Sequence, residues 1–121
     1  MKCYAGCDII QISRFEGQLG KQKFLDRCFT AAEQEYCFST VHPAEHFAAR
    51  FAAKEAVIKA LLAVRSDFHD MKMLEIQRSE TGRPVVVLLT DDELLNHSFI
   101  DVSISHDGDY AMAFAVAYFN L

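Results

Sequence analysis

Apolar and polar positions change their rhythm twice along this chain. Residues 3–12 alternate with a period close to two, which predicts a strand with Tyr4, Gly6, Asp8, Ile10 and Ile12 on one face. From Ser13 onward the spacing turns helical. Ser13 is placed to cap a short helix reaching about Leu19, Gly20 ends it, and residues 21–28 add another turn or two. Thr30-Ala31-Ala32-Glu33 has the order of a capping box, and the helix it starts carries Tyr36 and Phe38. Pro43 introduces the longest helix, over residues 44–64, where Phe47, Phe51, Ile58 and Leu62 form a core stripe.

The second half returns to strands. Residues 73–78 and 84–89 flank a turn, Ser79-Glu80-Thr81-Gly82-Arg83, in which Gly82 suits a positive φ. Thr90 starts a short helix by capping, and residues 100–105 and 110–120 make a second hairpin around His106-Asp107-Gly108-Asp109. In its last strand Ala111, Ala113, Ala115 and Ala117 line one face, and Met112, Phe114, Val116 and Tyr118 the other. Both faces are therefore expected to be covered, the alanine face by a helix or another subunit. The pattern predicts an α+β fold, a small antiparallel sheet packed with a long central helix and short helices, in one domain spanning residues 1–121.

Composition narrows the class. With 121 residues, 51% of them hydrophobic, the chain has the means for its own core, which excludes disorder. No apolar run is long enough to cross a bilayer, and Met1-Lys2-Cys3-Tyr4 leads into the strand without a signal-peptide layout. A soluble cytoplasmic protein is expected, with no membrane partner. Cys3, Cys7, Cys28 and Cys37 are too sparse for a disulfide framework and lack zinc-site spacing, so they read as reduced, mostly buried small hydrophobes. The net charge of −5 argues against a nucleic-acid partner. Arg14, Lys21, Lys23 and Arg27 nevertheless cluster, opposed only by Glu16 and Asp26, and such a patch is either ordinary solvated surface or a dock for an acidic protein.

Residues 50–59, Arg-Phe-Ala-Ala-Lys-Glu-Ala-Val-Ile-Lys, carry the densest chemistry. Arg50 and Lys54 share a helix face, Lys59 adds a third cation, and Ala52, Ala53 and Ala56 keep the surroundings slim. That face is either solvated, with Glu55 and Lys59 as an i,i+4 pair, or the seat of a polyanion. Asp8 raises the same choice. A carboxylate in an apolar strand needs a basic partner or a cation, and Gly6 leaves room for a ligand two residues away. Asp8 and Glu55 together suggest a metal joined to the anion. His106, at the hairpin, is a phosphate ligand or a polar turn residue.

Five segments taken together resemble the holo-acyl-carrier-protein synthase family of 4′-phosphopantetheinyl transferases. They are Gly6-Cys7-Asp8-Ile9-Ile10 with Arg14, Phe29-Thr30-x-x-Glu33, Ala49-Arg50-Phe51-Ala52-Ala53-Lys54-Glu55-Ala56-x-x-Lys59-Ala60, Thr81-Gly82-Arg83-Pro84, and Val102-Ser103-Ile104-Ser105-His106. They run in the family's order across nearly the whole chain. One departure follows the central helix, where the family places glycine and this chain continues Leu62-Ala63-Val64-Arg65.

The resemblance implies the 4′-phosphopantetheinyl transferase fold and a magnesium-dependent reaction. The phosphopantetheine arm of coenzyme A moves to a serine of apo acyl carrier protein, releasing adenosine 3′,5′-bisphosphate, in support of fatty acid biosynthesis. It implies Asp8 and Glu55 as metal ligands, both of them catalytic together with Lys59 on the pyrophosphate, and Lys54 supporting the same region. Arg50 and His106 become phosphate ligands, and the Gly82-Arg83-Pro84 backbone meets the adenine. Arg14 faces the carrier, with Lys21 and Lys23 in the same cationic segment. A homotrimer with sites at subunit interfaces is expected. The competing expectation is a non-catalytic trimeric module that binds coenzyme A or a nucleotide.

Overall fold

The computed structural model describes residues 1–120. Its longest strands, β1 (Lys2–Gln11), β4 (Phe99–Asp107) and β5 (Tyr110–Phe119), form an antiparallel sheet in the order β1-β5-β4. Between β1 and β4 the chain forms α1 (Ser13–Glu16), α2 (Gln22–Cys28), α3 (Ala31–Phe38), the long α4 (Pro43–Leu61) and α5 (Glu93–Asn96). A separate antiparallel pair, β2 (Leu74–Arg78) and β3 (Pro84–Leu88), follows α4. The α+β expectation holds.

The side-chain size of alanine sets the central packing. Ala111, Ala113, Ala115 and Ala117 of β5 are buried, as are Ala52, Ala53, Ala56 and Ala60 of α4, so helix and sheet approach closely. Gly6 completes that contact from β1. A Cβ there would lie 2.0 Å from the Ala56 carbonyl oxygen and 2.9 Å from the Ala60 nitrogen, so only glycine admits the helix backbone. Asp8, two residues along β1 and facing the same way, pairs in register with Ala113 and emerges at the edge of this contact. Phe15, Phe24, Phe29, Phe47 and Phe51 make an aromatic cluster of tilted and edge-on rings, with Phe24 and Phe51 stacked.

Several local expectations change. Ser13 starts α1 without capping it: its backbone N–H and hydroxyl both donate to the Asp109 carboxylate, at 2.9 and 2.7 Å. The helix stops at Gly17, three residues short of Gly20. Thr30 and Glu33 do form the capping box of α3. The helix after β3 is capped by Asp92, not Thr90, with the Asp92 carboxylate accepting from Leu94 and Leu95 N–H groups. A 3-10 turn over Met71–Met73, capped by Asp70, delays β2 to Leu74. Gly82 has φ 86°, as expected. The second face of the sheet is not covered by the described residues: Ile9, Phe99, Tyr110, Met112 and Phe114 are exposed. The cysteines split evenly, Cys28 and Cys37 buried and Cys3 and Cys7 exposed, all four free.

Candidate active site

Two clusters hang from α4. The first joins it to β1. Lys59 Nζ donates to the Cys7 carbonyl at 2.9 Å and lies 3.3 Å from Asp8 Oδ1. Asp8 Oδ2 is buried and has no hydrogen-bond partner. Burial pushes the Glu55 carboxyl above the ordinary glutamate range, the negative charge of Asp8 adds to that push, and Lys59 opposes it. Two half-desolvated carboxylates, one with an orphaned oxygen, and a single cation therefore share one corner. Among the described residues no group of three or more His, Cys, Asp or Glu side chains forms a metal cage. This donor set fits magnesium, which takes one or two carboxylates and completes its shell with phosphate oxygens and water.

The second cluster lies where α4 meets α3 and the β2–β3 turn. Two adjoining cavities of about 370 and 280 Å³ share Tyr36, Arg50, Arg78 and Gly82 in their walls. The smaller one also reaches Pro84 and His106. Arg50 is only 6% exposed, its guanidinium lies 4.3 Å above the Tyr36 ring, and its Nε has no partner. His106 Nε2 lies 3.0 Å from Glu45 Oε1. The imidazole of His46 is held below its ordinary pKa, first by burial and then by the charge of Arg50. Arg50, Gly82, Pro84 and His106, far apart in the sequence, thus line one cavity. The Arg83 side chain does not join them: it turns outward to Asp101, at 3.1 Å.

Lys54 is the clear correction. It is fully buried, and its Nζ meets Glu33 Oε1 at 2.5 Å, the Cys28 carbonyl at 2.8 Å and the Met71 carbonyl at 2.9 Å. With every ammonium proton engaged inside the fold, Lys54 has none to offer an anion. Burial holds its ammonium below the ordinary lysine pKa, with Glu33 acting against that. Arg14 on α1, Lys21 before α2 and Lys23 on it are exposed and make no ion pair among the described residues. A third cavity of about 420 Å³, lined by Phe24, Arg27, Phe51, Glu55, His69 and Met71, runs between this basic segment and Glu55.

Sequence reasoning missed Tyr36, Arg78 and His46 as site residues. Tyr36 read as one more residue of a capped helix, and Arg78 as the end of a strand. Their meeting spans 42 positions and leaves no spacing signal.

Comparisons with known proteins agree with this geometry. A family model described as the 4′-phosphopantetheinyl transferase superfamily matches residues 4–115. A holo-[acyl-carrier-protein] synthase from Protochlamydia amoebophila is 44% identical over 117 residues, covering 92% of this chain and 93% of that protein. Among solved structures, an ACPS–CoA complex from Chronobacterium ammoniagenes superposes with a TM-score of 0.85 at 27% identity, with both chains covered in full. An acyl carrier protein synthase from Mycobacterium tuberculosis gives 0.74 at 35% identity, over 96% of each chain.

Proposed function

Because this chain belongs to the 4′-phosphopantetheinyl transferase superfamily, we propose that residues 1–121 act as one domain that transfers phosphopantetheine from coenzyme A to a serine of an apo acyl carrier protein. Adenosine 3′,5′-bisphosphate leaves, and the product serves fatty acid biosynthesis in the cytoplasm. No helix among the described residues is long and apolar enough to cross a membrane. The observation that carries the reading is the corner made by Asp8, Glu55 and Lys59, with its orphaned carboxylate oxygen.

Each group has a task in that reaction. The serine oxygen forms a bond to the phosphorus that bears pantetheine, the bond from that phosphorus to the adenosine bisphosphate oxygen breaks, and the hydroxyl proton is lost. Asp8 and Glu55 would hold magnesium, which when bound neutralises charge on the pyrophosphate oxygens. Lys59, half exposed and already turned toward Asp8, is placed to bind the same pyrophosphate. Arg50 and His106 bind and orient the nucleotide end in the cavity beside Gly82 and Pro84. Arg14, Lys21 and Lys23 attract the acidic carrier, raising its encounter rate more than its affinity.

A homotrimer with sites at subunit interfaces belongs to the same proposal. Its support is the uncovered sheet face with Ile9, Phe99, Tyr110, Met112 and Phe114, an apolar surface of the kind that subunits bury. Sedimentation equilibrium of the purified protein tests it, and a monomer at micromolar concentration counts against it.

The transfer itself is tested by intact mass of apo acyl carrier protein after incubation with this protein, coenzyme A and magnesium. A gain of one phosphopantetheine, abolished by a chelator and by Glu55→Ala, supports the reading. No gain across a panel of carriers, with coenzyme A binding kept, would turn it into the binding module instead.

A further inference from the structure

Arg14 sits on a helix too short to hold itself. α1 has four residues, and its N-cap, Ile12, makes no side-chain bond to it. A single turn of helix is unstable alone in water, so its anchors must come from elsewhere in the fold.

Asp109 supplies the first anchor. It and Gly108, at φ 56°, are the only residues between β4 and β5. Tyr110, next along, is in register with Gln11 of β1 and Asp107 of β4, so Asp109 leaves the sheet from a fixed point. Its carbonyl accepts from the Ile12 N–H at 2.7 Å. Its carboxylate accepts from the Ser13 N–H at 2.9 Å and from the Ser13 hydroxyl at 2.7 Å. Three bonds from two consecutive residues thus end on one acid of the β4–β5 turn. Phe15 supplies the second anchor: it is 4% exposed, with its ring 5.4 Å from Phe51 and 6.0 Å from Phe24. Arg14 stands between them, exposed and without an ion pair among the described residues. Both of its chain neighbours are fixed while its own side chain is free.

We propose that Asp109 is a positioning residue for the carrier: by fixing Ser13 it holds Arg14 in the orientation that meets the acidic protein. This rests on the transferase reading for its carrier and goes beyond it in giving Asp109 and Ser13 a task. Charge alone would act in the other direction, since a carboxylate beside the dock repels an acidic partner. Lys23 provides an internal comparison, because α2 is held by other bonds. There Asp26 accepts from Gln22 of its own helix at 2.8 Å and from Gln34 of α3 at 3.0 Å.

The test is kcat/KM for apo acyl carrier protein at saturating coenzyme A and magnesium, read by intact mass. Asp109→Ala is expected to lower it about threefold to fivefold, at most the worth of one exposed ion pair, with kcat and the coenzyme A KM within about twofold of wild type. Asp109→Asn keeps a latch, its amide donating to the Ser13 hydroxyl, and is expected at the wild-type level or above. Adding Asp109→Ala to Arg14→Ala should lower the value by less than about 1.5-fold more, whereas added to Lys23→Ala it keeps its full effect. Ser13→Ala removes one bond and no charge, so it gives a smaller loss in the same direction even where the melting curve of Asp109→Ala shows a damaged fold. An Asp109→Ala protein with unchanged or raised carrier efficiency overturns the inference and leaves the transferase reading intact. So does a loss of equal size with and without Arg14. A wild type that modifies no carrier in a panel fails the transferase reading itself, and this inference with it.

Discussion

Replacing Lys54 with methionine is expected to damage stability and spare the proposed nucleotide site. Lys54 and Glu33 are 0% and 2% exposed. The substitution removes an ammonium that satisfies one carboxylate oxygen and two carbonyls, those of Cys28 and Met71. Glu33 keeps its backbone donors, Thr30 N at 2.8 Å and Ile76 N at 2.8 Å, but loses its counter-charge. Stranding one member of a buried pair costs about 3–5 kcal/mol. Against a net stability of roughly 5–15 kcal/mol that is a large share, and it lowers Tm by roughly 10–20 °C for a chain of this size.

Adding Glu33→Gln removes the stranded charge, and the double variant is expected to regain about 2 kcal/mol or more. Denaturant unfolding of the wild type, both single variants and the double variant measures the coupling. It should be run at one protein concentration without coenzyme A, since ligand and assembly both shift apparent stability. Coenzyme A affinity of folded Lys54→Met should stay within about twofold of wild type, because Lys54 offers the cavity no proton. A cost below about 1 kcal/mol, or a double variant no better than the single, would refute the reasoning.

Three further outcomes follow from the same contacts. Gly6→Ala should cost at least about 3 kcal/mol, since its Cβ meets α4 backbone, whereas Gly20→Ala, with nothing within 4 Å, should change stability by less than about 1 kcal/mol; denaturant midpoints compare them. In the metal-free protein the raised Glu55 pKa means the fold favours the protonated acid: that contribution is full below the ordinary value of 4.5 and vanishes as pH rises through the raised one. Glu55→Gln should therefore stabilise the metal-free protein at neutral pH but not below pH 4.5, while abolishing magnesium-dependent transfer, as melting curves and mass assays would show. The bond from Arg65 holds Asp92 below its ordinary 3.8, so its contribution is present above that value and fades as pH falls through the lowered one; Asp92→Asn should flatten this part of the acid-unfolding curve.

Local patterns were legible wherever a short stretch answers to its own neighbours. The capping box at Thr30 and Glu33, Pro43 at the start of α4 and the positive φ of Gly82 each depend on residues within one turn. Thr90 and Ser13 misled for the opposite reason. Asp92 outcompetes Thr90 because its carboxylate reaches two N–H groups, and Ser13 is claimed by Asp109, 96 positions away. The exposed cysteines of β1 and the open face of β5 follow from tertiary facts too. A period of two tells which residues share a face, but not whether anything lies over it.

The decapeptide from Arg50 to Lys59 shows the same limit in the site. At 3.6 residues per turn Arg50 and Lys54 lie about 40° apart around α4, while Glu55 and Lys59 lie roughly 140° and 180° from Arg50. The spacing therefore does place two cations on one side and an acid with the third cation on another. It does not say what each side faces. Glu33, delivered by the capping box of α3, meets Lys54 and turns it into part of the core, while Tyr36, one turn further along α3, meets Arg50 at the cavity wall. Had α3 ended before Tyr36, Arg50 would lack the ring beneath its guanidinium, and had Glu33 been apolar, a fully buried Lys54 would face an unpaired charge that no core of this size tolerates. One turn of a neighbouring helix thus decides which of two adjacent cations is locked into the fold and which lines the cavity.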